Sequence, residues 1–146
     1  MEFEYKQIVA AVDGSKAAEL AFNKAVDIAK RNHATLILAH VIDHRTFATA
    51  EAYDRSLAER AETYAKELLA GYQEKAERAG AANIITDIEY GSPKIKIAKD
   101  IAKKYDADLI ICGATGMNAV ERFLIGSVSE SVTRYATCDV LVVRSE

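Results

Sequence analysis

Short apolar runs alternate along this chain with longer segments in which apolar positions recur every three or four residues. Runs of the first kind read as buried strands and segments of the second kind as amphipathic helices. Lys6–Val12 is the first strand, and the Asp13-Gly14-Ser15 turn hands it over to a helix with Ser15 as N-cap. Ala17, Leu20, Ala21, Ala25, Ile28 and Ala29 mark that helix's apolar positions. Thr35–Ile42 is a second strand. A long helix from Glu51 to Ala79 follows, supported by the i,i+4 pairs Glu62–Lys66 and Glu74–Arg78 and stopped at Gly80. Asn83–Tyr90 forms a third strand. Ser92-Pro93 opens another helix, with Ile95, Ile97, Ala98, Ile101 and Ala102 on its apolar face. Residues 108–112 make the fourth strand, 127–136 the fourth helix and Asp139–Arg144 the fifth strand.

Continuous apolar strands separated by helices predict an α/β fold, an open five-stranded parallel sheet with helices on both faces. Ligands of such sheets bind beyond the carboxyl ends of the strands, where strand order reverses. In the order 3-2-1-4-5 that reversal falls between the first and fourth strands. Asp13-Gly14-Ser15, the strand end His40-Val41-Ile42 and the segment after the fourth strand then converge on one crevice.

That last segment carries the clearest chemistry. Gly113-Ala114-Thr115-Gly116 is followed by nine residues and then by Gly126-Ser127-Val128-Ser129-Glu130. Glycines at both ends of a strand-to-helix loop let main-chain N–H groups approach an anion, and a helix N-terminus adds unpaired donors. The pattern predicts a phosphate-binding loop. Ser127-Val128-Ser129-Glu130 also reads as a capping box, with Glu130 at the third helical position. His40 reads as a hydrogen-bonded histidine near the core. Arg122 reads either as folding over phosphates or as a solvated arginine, and His44, Arg45 and Phe47 either as a lid over the ligand or as a merely mobile connection.

Composition narrows the function. The formal net charge of -3 and pI of about 5.7 do not suggest a nucleic-acid or membrane partner. No apolar run is long enough to span a bilayer. The N-terminal residues do not read as a signal peptide, and two cysteines suit a reducing, cytoplasmic setting. Cys112 and Cys138 fall at opposite ends of parallel strands, so no disulfide is expected. The chain contains no GxxxxGK[ST], GxGxxG, HExxH, GxSxG or CxxC motif, and no catalytic residue is assigned.

Taken together, these segments resemble universal stress proteins of the nucleotide-binding branch. The likeness rests on Ile8-Val9-Ala10-Ala11-Val12-Asp13-Gly14-Ser15, His40-Val41, Asp106-Ala107-Asp108-Leu109-Ile110, the G-x2-G-x9-G-S loop, and Cys138-Asp139-Val140-Leu141-Val142-Val143. It implies one Rossmann-like domain over residues 1–146, of the adenine nucleotide alpha hydrolase-like type. It also implies an ATP-binding, cytoplasmic, homodimeric stress-response module with little or no turnover. By this resemblance Ala11, Asp13 and Val41 would hold the adenosine part, with Gly113, Gly116, Gly126, Ser127, Val128 and Ser129 at ribose and phosphates. Mg or Mn would accompany the nucleotide, with Asp13 within reach of it. Ala11 replaces a proline common in the family, and Met117-Asn118 replace basic residues. The dimer would form through the fifth strand (Val140, Leu141, Val142, Val143) and engage an unknown protein partner. A slow ATPase or autophosphorylating enzyme and a nucleotide-free scaffold are the alternatives.

Overall fold

The computed structural model describes residues 4–43, 55–115 and 126–144. Five strands run in the order β3-β2-β1-β4-β5: β1 (Gln7–Ala11), β2 (Thr35–Ile42), β3 (Asn83–Tyr90), β4 (Leu109–Gly113) and β5 (Asp139–Val143). All four pairings are parallel. The predicted sheet and strand order hold. β1 pairs with both β2 and β4, so the order reverses between β1 and β4.

Helices α1 (Lys16–Asn32) and α2 (Arg55–Arg78) cover one face of the sheet. There Ile8, Ala10, Val12, Leu36, Leu38, Leu109 and Ile111 pack on Ala21, Phe22, Ala25, Leu69 and Tyr72. The other face carries Val9, Ile37, Ala39, Val41 and Ile110 against Ile97, Ile101, Ala102 and Val132. The last of these belongs to α5 (Ser127–Tyr135). Strand side chains alternate between faces, so β1, β2, β4 and β5 feed both layers, and this is why those strands read as apolar runs.

The helix expected after Ser92 is not uniform. It consists of α3 (Pro93–Ile95), a π-helical segment Lys96–Ile101 and α4 (Ala102–Lys104). Ala102 N–H donates to the Ile97 carbonyl, the five-residue step of a π turn. The wider turn breaks the 3.6-residue period. Ile97, Ala98, Ile101 and Ala102 are buried as expected, but Ile95 is 50% exposed and does not belong to the apolar face assigned to it. Gly80, at φ 101, ends α2 as predicted. Among the described residues, no helix is long and apolar enough to cross a membrane. Cys112 and Cys138 are both free.

Candidate functional site

The carboxyl end of β1 is shaped by a local hydrogen-bond pattern. Asp13 Oδ1 accepts the Ser15 N–H at 2.9 Å, which makes an Asx turn. Gly14 occupies φ 84, open to glycine at little cost. Ser15 Oγ then accepts the Ala18 N–H at 3.1 Å and caps α1, as the sequence predicts. One Asp13 oxygen is thus committed to the turn while the side chain stays partly exposed. A single carboxylate of this kind suits Mg²⁺, which takes few protein ligands when phosphates supply others. Among the described residues no cluster of three or more His, Cys, Asp or Glu forms a metal cage.

At the end of β4, Gly113 meets α1. A Cβ placed on it would lie 2.8 Å from the Ala17 carbonyl carbon and 2.9 Å from Ala17 Cβ. The absence of a side chain therefore lets β4 approach the first turn that Asp13 and Ser15 organise. On its other side the Gly113 carbonyl accepts a hydrogen bond from Ser129 Oγ, a buried side chain of α5. The Gly126 N–H donates to the Ala114 carbonyl at 2.6 Å and Ala114 N–H to Val143 at 2.8 Å. Gly113 thus joins the starts of α1 and α5 through direct contacts, and both helix N-termini open beside the β1–β4 switch point.

The capping box does not form. Gly126 is the N-cap of α5, without a side-chain bond, and Ser127 is the first helical residue. Glu130 falls one position later than expected and pairs with Arg134 at 3.2 Å. The bond from Gly126 to Ala114 sets where this helix begins, and that long-range tie outweighs the local signal.

Ala11 ends β1, partly buried against the second core layer. Val41 is buried in β2. Ser127 is exposed and Val128 partly buried at the start of α5. The Ser129 hydroxyl is turned inward to Gly113, which leaves its main chain as the group at the helix start. Gly116, like Met117, Asn118, Arg122, His44, Arg45 and Phe47, lies outside the described residues.

Three side chains stand beside the Asp13 turn, and two of them, Tyr64 and Tyr72, escape a motif reading. His40 Nδ1 lies 2.8 Å from the Val12 carbonyl, the core-side bond expected of that histidine. Tyr64 projects from α2 so that a Cβ on Gly14 would lie 2.7 Å from its hydroxyl. Tyr72, two turns on, packs on Phe22 with ring centroids 4.7 Å apart and ring planes tilted at 54°. Burial, with the charges of Asp13 and Glu19, pushes the Tyr72 phenol up to about 12. The signal for the tyrosines is the i, i+4, i+8 stripe Tyr64-Leu68-Tyr72.

The sequence model of the universal stress protein family matches residues 4–144. A putative universal stress protein of Staphylococcus haemolyticus is 56% identical over 142 residues, covering 97% of this chain and 86% of that protein. The structure resembles the universal stress protein UspA from Lactobacillus plantarum with a TM-score of 0.87. That pair is 37% identical, over 98% of this chain and all of that one (100%). A universal stress protein crystallised in complex with cAMP superposes with a TM-score of 0.74 at 28% identity, over 99% of this chain and 100% of that chain.

Proposed function

Because the chain belongs to the universal stress protein family, we propose that it binds an adenine nucleotide, ATP with Mg²⁺ or Mn²⁺, at the β1–β4 switch point and acts as a nucleotide-dependent regulator. The observation that carries this reading is the pair of contacts Gly113 makes, to Ala17 of α1 and Ser129 of α5. They draw the Asp13 turn and a helix N-terminus together at the place where open α/β sheets take ligands. The related protein in complex with cAMP supports an adenine ligand.

Asp13, Ala11 and Val41 serve the adenosine end. Gly113, Gly116, Gly126, Ser127 and Val128 line the ribose and phosphates, with the first-turn amides of α5 and its dipole as the donors, since the Gly126 amide is itself held by the Ala114 carbonyl. Ser129 braces the loop base through Gly113. Asp13 meets the divalent ion that travels with the phosphates. Such a site holds charge without a lysine clamp, so binding outlasts turnover. Two copies join through β5, the last strand on its side of the sheet.

Calorimetric titration with Mg-ATP tests the reading. One nucleotide per chain, with a raised thermal midpoint, is expected; a ligand at a hundredfold its Kd adds about 2.7 kcal/mol. AMP, ADP and cAMP in parallel titrations rank the phosphate contribution. Neither heat nor thermal shift at millimolar Mg-ATP would end the proposal.

A further inference from the structure

Where β1 and β2 part, a side chain takes over a place in the ladder. Their register runs from Gln7↔Thr35 to Ala11↔Ala39, and Val12 N–H still donates to Ala39 at 2.9 Å. In a parallel ladder the next bond would pass from the Val41 N–H to the Val12 carbonyl. The pairing ends before that bond, and the Val12 carbonyl instead faces His40 Nδ1 at 2.8 Å. A carbonyl only accepts, so Nδ1 carries the proton.

We propose that His40 is a positioning residue: by donating to the Val12 carbonyl it keeps the β1–β2 ladder open and leaves the Val41 main chain available to a base edge. The direction follows from alternation along β2. Ile42 accepts from Gly91 N–H at 3.0 Å on the β3 side, whereas Ala39 accepts from β1. Val41 therefore turns its N–H and C=O toward β1, past the point where that strand ends. A donor and an acceptor side by side match a 6-aminopurine, which offers a ring nitrogen and an amino group; a 6-oxopurine offers the reverse. The Tyr64 ring stands edge-on to His40 at 6.5 Å and 70°, and the same tyrosine lies over Gly14. The open ladder stands on the hydrogen bonds alone; its consequence for base choice rests on the adenine reading above.

The experiment has a nucleotide-free arm and a nucleotide arm. In the first, the imidazole ¹⁵N shifts of the wild-type protein should report the Nδ1-protonated tautomer, and amide exchange is followed at Val41. His40→Leu frees the Val12 carbonyl for the Val41 N–H and should slow that exchange at least roughly tenfold, as expected for a new main-chain hydrogen bond. His40→Asn, with its amide nitrogen near the place of Nδ1, should restore fast exchange. In the second arm, Mg-ATP affinity should fall roughly tenfold in His40→Leu, about the worth of one hydrogen bond, recover in His40→Asn, and exceed that for Mg-ITP in the wild type.

An Nε2-protonated tautomer in the wild type overturns the proposal even where His40→Leu does not fold. Unchanged Val41 exchange in a folded His40→Leu does so too. Wild-type protein that binds no nucleotide, yet shows the tautomer and exchange pattern, sinks the adenine reading and keeps the open ladder.

Discussion

A methyl group at position 113 would lie 2.8 Å from the main chain of Ala17, closer than a real Cβ contact allows. Gly113→Ala must push β4 and α1 apart, and overpacking of this kind costs about 1–3 kcal/mol. Urea unfolding should show the lowered midpoint; a wild-type midpoint would mean that the helix yields freely. The glycine itself is visible in the G-x2-G-x9-G-S spacing, but its partner is not. Ala17 lies far away in the chain, and no local pattern announces that meeting. Ser15 and Ser127 show the same boundary. The Ser15 cap is settled within its own turn and reads correctly. The Ser127 cap fails because Gly126 is tied to Ala114 across the loop.

Among the elements, β2 and β3 have the bounds their side-chain types predict, β2 as a run buried in a parallel sheet and β3 as a largely exposed strand at the sheet edge. The π turn at Lys96–Ile101 left no such mark, and Ile95 was placed on the wrong face as a result. Near the carboxyl end of that helix stands a polar lock. Asp87 of β3 is 8% exposed and accepts from the Tyr105 hydroxyl at 2.6 Å and from Lys104 Nζ at 3.0 Å. Burial alone would raise the Asp87 carboxyl; hydrogen bonds from Tyr105 and Lys104, with the positive charge of Lys104, outweigh it and hold the group below its ordinary value. A carboxyl depressed in the folded state adds stability above its unfolded value, near pH 4, and loses it as the pH falls below that. Tyr105→Phe should therefore cost about 1.5–3 kcal/mol at neutral pH, the worth of a hydrogen bond to a charged group. The deficit should shrink as the pH approaches about 3. Urea titrations at both values check it, and an equal deficit at each would assign the loss to packing.

For the whole molecule, the parallel sheet was readable from the alternation of apolar strands and helices, and the order 3-2-1-4-5 taken with it holds. Assembly is less readable, since a sheet edge states only that pairing is possible. Val142 is partly buried in β5. If two copies join there, Val142→Lys should convert a dimer to a monomer in sedimentation equilibrium. A wild-type protein that is already monomeric at high concentration would remove β5 as the interface. One further property follows from the 2.6 Å bond between Gly126 and Ala114. With the Ala114 N–H held in turn by Val143, it ties the two ends of the 114–126 connection to each other and to β5, whatever the length of chain between them. Doubling that length adds only about 0.6 kcal/mol of closure entropy. An engineer can therefore graft a foreign recognition segment between Gly116 and Gly126 at small cost, leaving both glycines in place.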